Sequence, residues 1–240
     1  MKLLHRKRTI VLLLSLVLLL TGCMYPKDEG ESGNIPYSEH VESVQKAVDA
    51  YRDSQGGMLP IKTTELDTDI YIKYPIEFSK LVPAYTEKIP SSAYEKGGIF
   101  QYVLMDVEEN PTVKLVDLRV AERIRELNLR KNINNGYIPH KAEAIGNNIY
   151  EIDYEAMGFE NQITVKSPYS DNFLPLVAGG DGNFYVDYSI DLQRILNEKQ
   201  VDVKPGDDIR KLLEDISPVL PAYSLPYTVN ENNEPVIMDW

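Results

Sequence analysis

The stretch IYIKYPIEFSKLVPAY, residues 70–85, decides the predicted fold because its pattern returns later in the chain. Residues 70–74 alternate with the two-residue period of a β-strand, and Pro75 suits the first position of a short helix. The same order recurs in FYVDYSIDLQRI, residues 184–195, and the proline-tyrosine ending recurs in VLPAY, residues 219–223. Both places therefore predict a strand, a short helix and a corner.

The aligned unit closes with a hairpin in both copies. Residues 94–106 and 227–239 align without a gap, and the first is expected to turn at Gly97-Gly98. This duplication predicts an α+β fold made of two related helix and antiparallel-strand units, residues 37–135 and 136–240. The two units either share one core or pack as lobes around a ligand groove. A chance alignment with free gaps is the alternative.

Hydrophobic periodicity predicts the remaining elements. An amphipathic helix is expected from Ser38, as N-cap, to the glycine pair Gly56-Gly57, and a second helix over residues 119–131. Further strands are expected at residues 113–116, 149–154, 163–166, 174–177 and 184–188, and further helices at residues 190–198 and 208–216, the latter capped by Asp207.

The N-terminus has the pattern of a secretion signal. Four basic residues precede an apolar run at residues 10–20, which is too short for the roughly 20 residues that a permanent membrane helix needs. Leu20-Thr21-Gly22-Cys23 then resembles the lipobox of bacterial lipoproteins. The resemblance implies a signal peptide at residues 1–22, a diacylglycerol on the Cys23 thiol and a fatty acyl chain such as palmitate on its amino group. An uncleaved anchor with an incidental cysteine is the alternative.

The predicted anchor indicates where the protein is located, and its charge excludes some classes of binding partner. The polar residues 23–36 form a flexible tether, and the domain is expected at the extracytoplasmic face of a cell membrane. The signal holds four of the 25 Lys and Arg residues and none of the 37 acidic residues, so the mature chain carries a charge of −16. Nucleic acid would be repelled by such a chain, and so would an anionic membrane surface.

Six tyrosines at matching places in the two copies are candidate ligand-binding residues: Tyr71, Tyr85, Tyr94, Tyr185, Tyr223 and Tyr227. Tyrosines at strand spacing with aliphatic neighbours usually belong to the core or to a sheet face, with the hydroxyl at the rim. The alternative is an aromatic surface that binds a glycan or a peptide.

No pattern for catalysis or metal binding competes with these features. Only His40 and His140 remain in the mature chain, Cys23 is its one cysteine, and no nucleophile elbow or phosphate-binding loop occurs. The run Gly179–Asn183 has oxygen ligands for calcium but not the ligand spacing, so a hairpin turn is favoured. Glu108-Glu109 and Asp207-Asp208 are interpreted as loop or cap acids. We expect no enzyme, no metal and no cofactor.

The predicted function is that of a non-catalytic binding or assembly module of the cell envelope, held by its lipid and contacting an envelope protein or a small solute. A solute-binding lipoprotein of a transporter is the alternative. The lipobox also makes the chain similar to small lipoproteins of unknown function from Gram-positive bacteria. Residues 41–106 faintly resemble the head of type II pseudopilins, which implies a long helix, a proline-marked loop and a small antiparallel sheet.

Overall fold

The computed structural model describes residues 36–66, 68–199 and 201–238. Cys23, the predicted signal peptide and the tether up to residue 35 lie outside the described residues. The helices are α1 (Pro36–Ser54), α2 (Phe78–Leu81), α3 (Leu118–Ile133), α4 (Ser189–Glu198) and α5 (Lys211–Ile216). The strands are β1 (Phe100–Met105), β2 (Thr112–Asp117), β3 (His140–Gly146), β4 (Ile149–Ile152), β5 (Thr164–Lys166), β6 (Phe173–Gly179), β7 (Phe184–Val186), β8 (Tyr227–Val229) and β9 (Pro235–Ile237). None of the helices in the described ranges is long and apolar enough to cross a membrane.

Helix α1 packs against the antiparallel pair β1–β2. Val44, Ala47 and Val48, spaced three and four residues apart as an amphipathic helix requires, are buried against Phe100, Leu104 and Leu115. The helix starts at Pro36, two residues before the predicted cap at Ser38, and ends just before Gly56 and Gly57, whose φ angles of 64° and 93° suit glycine. The helix prediction is confirmed.

The predicted strand at residues 70–74 is wrong, because this segment forms turns. The Asp69 carboxylate accepts a hydrogen bond from the Tyr71 amide, and the Asp69 carbonyl accepts one from Ile72. Such aspartate-centred turns compete with extended backbone. Within residues 70–85, isolated β-bridges occur at Pro75 and Ile76, and helix α2 begins at Phe78 rather than at Pro75.

The predicted hairpin at residues 94–106 is also wrong. Tyr94–Lys96 forms a 3₁₀ turn that ends at Gly97, and β1 pairs with β2 instead. Gly98 lies against the backbone of Ser92, whose carbonyl oxygen would be 2.1 Å from a Cβ at position 98. The glycine pair therefore permits a close backbone crossing, which sequence periodicity does not reveal.

The second sheet has five strands, and β6 lies at its centre. On one side of β6, β4 pairs with residues 177–179 and β5 pairs with residues 173–175. On the other side, β7 pairs with residues 176–178, and β3 continues the sheet outward from β4. All these pairings are antiparallel.

Helices α3, α4 and α5 cover the second sheet. Val120 and Leu127 of α3 share a hydrophobic cluster with Leu174, Leu192 and Leu213. The hairpin predicted at residues 227–239 is confirmed as β8–β9. Helix α5 starts at Lys211, and Arg210, not the predicted Asp207, precedes it.

The α+β class is confirmed by this mixture of helices and antiparallel sheets. The duplication stays a prediction, because residues 70–74 form turns where their aligned counterpart begins with β7. The described residues belong to one compact unit.

Candidate functional site

A groove opens where strand pairing along one side of β6 is interrupted. Strand β4 ends at Ile152 and β5 begins at Thr164, and the loop of residues 153–163 between them leaves the sheet. The groove has a volume of about 830 Å³, within the range of small-ligand sites. Its lining combines strands β3, β4 and β6, the loop and Asp187: Lys141, Ile145, Glu151, Ile152, Asp153, Tyr154, Glu155, Phe159, Glu160, Asn161, Gln162, Pro175, Leu176, Val177 and Asp187.

Tyr154 bridges the gap between the two strands. Its hydroxyl lies 3.2 Å from the carbonyl oxygen of Ile163 and 3.4 Å from that of Leu176, and its one hydrogen is shared between these two acceptors. Burial raises the pKa of this hydroxyl to about 12, so it stays protonated at neutral pH and keeps its role as donor. The side chain thereby satisfies backbone acceptors that a continuous sheet would pair.

Aromatic packing holds the loop in place. The Phe159 ring lies 6.2 Å from the Tyr154 ring in an edge arrangement, and the Arg130 guanidinium of α3 stacks over Phe159 at 5.1 Å. Met157, between them in sequence, is buried in the core below. The loop is therefore anchored from within, and its polar residues are left to form the groove wall.

The groove is acidic. Five of its lining residues are Asp or Glu and one is Lys. Lys141 pairs with Glu151 across β3 and β4, and the carboxylate of Asp187 accepts hydrogen bonds from the Tyr227 hydroxyl at 2.7 Å and the Ser189 amide at 2.8 Å. The exposed side chains of Glu155 and Glu160 bond to no described residue.

Strand β3 forms one edge of the groove and of the sheet. It pairs only with β4 among the described strands. Residues 141–145 are all exposed, including Ile145 at 46%. Lys141 and Ile145 line the groove, so the same strand provides a free backbone edge and part of the groove wall.

The described residues do not assemble a metal centre: no three His, Cys, Asp or Glu side chains in these ranges are grouped to hold an ion. The acids of the groove come from β4, from the loop and from the residue after β7: Glu151, Asp153, Glu155, Glu160 and Asp187. His40 Nδ1 lies 2.9 Å from Ser92 Oγ, and the His140 ring stacks on Tyr150 at 4.3 Å. The arrangement can bind through an apolar floor and distributed negative charge.

The turn prediction for Gly179–Asn183 is confirmed, because these residues connect the antiparallel strands β6 and β7. Asp181 accepts hydrogen bonds from the Asn183 amide at 3.0 Å and the Tyr185 hydroxyl at 2.6 Å. Although partial burial acts in the opposite direction, these bonds lower the pKa of the Asp181 carboxyl. The carboxylate oxygens of Asp181 therefore stabilise the turn through these hydrogen bonds.

The six candidate tyrosines do not form one surface. Tyr71 and Tyr227 are buried, Tyr85, Tyr185 and Tyr223 are partly buried, and Tyr94 is 65% exposed. Tyr71 and Tyr223 share a small hydrophobic cluster, and the negative charge of Asp69 acts on both Tyr185 and Tyr223. The Tyr227 hydroxyl donates a hydrogen bond to Asp187, which lines the groove.

The remaining tyrosines serve separate packing sites. The Tyr85 hydroxyl is 2.6 Å from Ser54 Oγ, and its ring packs edge-on against Tyr51 at the end of α1. Tyr94 lies in the 3₁₀ turn before β1. Ligand binding by these tyrosines stays a prediction, and Tyr71, Tyr185 and Tyr223 are the members that the fold brings near one another.

Sequence reasoning missed the groove residues. The sequence feature that could have indicated them is the segment DYEAMGFENQ, residues 153–162, in which acidic and aromatic residues lie between two predicted strands. Without the pairing of β4 and β5 on one side of β6, nothing in the sequence indicates that the segment lines a depression.

Comparison with known proteins relates the first part of the chain to a protein family. Residues 37–117 match the model of the YphF family N-terminal domain, which is about a third of the chain. The matched segment runs from the start of α1 to the end of β2 and holds almost all of the hydrophobic cluster between them. No curated protein and no solved structure matches the chain. The chain is thus similar to the YphF N-terminal domain over its first described cluster, and the groove lies beyond the matched residues.

Proposed function

We propose that this protein is an extracytoplasmic lipoprotein, anchored to a cell membrane through Cys23, and that its domain is a non-catalytic binding module of the cell envelope. The groove beside β3 is the observation that supports binding. It joins an apolar floor that includes Ile145 and Pro175 to the carboxylates of Glu155 and Glu160, which have no partner among the described residues.

The anchoring half of the proposal rests on Leu20-Thr21-Gly22-Cys23 after the apolar run. Two or more acyl chains bind a bilayer stably because each buried CH₂ contributes about 0.8 kcal/mol. A short polar segment between Cys23 and α1 would keep the domain beside the membrane.

The test of the anchor is Cys23→Ala in cells fed an alkyne analogue of palmitate. The unaltered protein should incorporate the label, lose residues 1–22 by intact mass and sediment with membranes. The variant should carry no label and keep its signal peptide. Equal labelling of the two proteins would refute the anchor.

A solute-binding lipoprotein of a transporter is the second candidate, and the groove volume of about 830 Å³ favours it. A specific solute would raise the melting temperature by mass action. A thermal-shift screen of sugars, amino acids, amines and peptides separates the two candidates. A small solute that stabilises the protein, with no effect of peptides, would favour the transporter role.

A further inference from the structure

We infer that the groove and the free edge of β3 together bind an extended basic peptide segment, such as an exposed lysine-rich strand or tail of another envelope protein. This inference deepens the proposed binding function and rests on it. Three features of the described residues carry it: an unpaired strand edge, an acidic wall beside that edge and an apolar floor.

The strand edge supplies the main-chain part of the site. An extended peptide that pairs with β3 would complete the hydrogen bonds of its outer edge, as in β-strand addition. The small side chains of Ala142 and Ala144 leave room beside this edge, and both residues are exposed. A strand in this position would run alongside β3, whose Lys141 and Ile145 line the groove.

The groove supplies the side-chain part. Alternate side chains of an extended peptide point to the same face, about 6.6 Å apart. Several carboxylates along one wall can pair with a row of basic side chains on one face of such a peptide. The described carboxylates are not grouped to hold a single metal ion. Glu155 and Glu160 have no partner among the described residues, so a lysine or arginine can pair with them without breaking an existing bond.

Charge decides against two other occupants. An acidic peptide would meet five lining carboxylates and one lysine that is already paired with Glu151. A second copy of this chain would bring a mature charge of −16 to an acidic wall. The carboxylates of the groove attract a basic peptide over a distance. On contact, its backbone would form hydrogen bonds with the free edge of β3.

The experiment measures binding of a fluorescein-labelled octapeptide of alternating lysine and valine by anisotropy. The protein is the mature lipidated chain in detergent. Expected results are saturable binding, weakening with added salt, no binding of the glutamate-valine counterpart, and slower amide exchange at residues 140–146 when the lysine peptide is bound.

Two matched variant pairs localise the site. Glu155→Gln with Glu160→Gln should raise the Kd about tenfold, whereas Glu108→Gln with Glu109→Gln, an equal charge change in the β1–β2 loop, should leave it unchanged. Ile145→Lys should weaken binding by repulsion, and Leu129→Lys on the exposed side of α3 should not. Circular dichroism and melting temperature confirm that each variant is folded.

The contrary outcomes are equally defined. Equal weakening by both glutamine pairs would mean attraction to net charge, and full competition by spermine would mean a polyamine site. A concentration-dependent dimer that the groove variants dissociate would mean self-association. Each of these overturns the peptide assignment, whereas failure of the anchor appears separately in the intact mass of the purified protein.

Discussion

The Tyr71 hydroxyl donates a hydrogen bond of 2.6 Å to Oε1 of Glu214, which lies 143 residues further along the chain. The Arg210 guanidinium stacks over the Tyr71 ring at 5.1 Å. The Lys114 ammonium donates to the Glu214 carbonyl at 2.8 Å. Together these contacts join the segment that matches the YphF N-terminal domain to helix α5.

Tyr71→Phe should lower the free energy of unfolding by about 1–2 kcal/mol, because the Glu214 carboxylate loses a donor in a partly buried place. Urea denaturation measures the change, with the slope against urea unaltered. Tyr94→Phe is the control, since the exposed Tyr94 hydroxyl bonds to no described residue. Equal stability of the two variants would show that the contact contributes nothing.

Asp191→Asn should destabilise the protein by about 2–3 kcal/mol. The Asp191 carboxylate is fully buried and accepts hydrogen bonds from Ser167 Oγ at 2.7 Å and Ser170 Oγ at 2.6 Å. An amide cannot accept at both positions, so one hydroxyl loses its partner. Asp171→Asn, whose side chain is 87% exposed, should change stability by less than about 0.5 kcal/mol. Similar urea midpoints for the two variants would contradict this account.

Gly98→Ala should cost more than about 2 kcal/mol, because a Cβ would meet the Ser92 carbonyl oxygen at 2.1 Å and neither backbone segment can move freely. The control is Gly57→Ala, where φ is 93° and nothing lies within 4 Å of the added atom. That change should cost only about 1 kcal/mol for the left-handed backbone. Thermal unfolding of both variants ranks them, and the reverse order would refute the close crossing.

Alkaline pH should destabilise the fold steeply. Burial raises the pKa of several tyrosine hydroxyls above the ordinary value of 10.0, and for Tyr154 it raises it to about 12. The others are Tyr71, Tyr102, Tyr169, Tyr185, Tyr188, Tyr223 and Tyr227. The unfolded chain ionises these groups near pH 10, whereas the folded chain keeps them neutral. Their stabilisation is therefore complete below pH 10 and is lost as the pH rises through the folded-state values.

Urea midpoints between pH 8 and pH 11.5 measure this loss. Each group adds a slope of up to about 1.4 kcal/mol per pH unit, so Tyr154→Phe should make the decline above pH 10 shallower. A midpoint that stays constant to pH 11.5 in the unaltered protein would exclude ionisation of buried tyrosines as a cause of unfolding.

Much of the local structure was predictable from residue order. The period of Val44, Val48 and Tyr51 indicated α1, and the turn residues of Gly179–Asn183 indicated the connection of β6 to β7. The errors fell where a local contact overrode the pattern. Asp69 turns the backbone at Tyr71, and Gly98 allows a backbone crossing instead of a hairpin.

The candidate site was not predictable in the same way. Tyr154 was expected at the end of a strand, and its role as a bridge between the carbonyls of Ile163 and Leu176 depends on two strands that meet the same neighbour. Strand pairing between distant segments carries no periodic signal in either segment. The acids at Glu155 and Glu160 therefore resemble ordinary loop residues in the sequence.

The sequence by itself determined the α+β class, the two long helices, the acidic charge and the predicted anchor at Cys23, because these depend on composition and on spacing within short segments. Only the tertiary structure decided that β4 and β5 lie end to end along β6 and that the loop between them walls an acidic groove. The reason is physical: a groove is a property of segments brought together by long-range pairing, and its walls form only when the chain has folded.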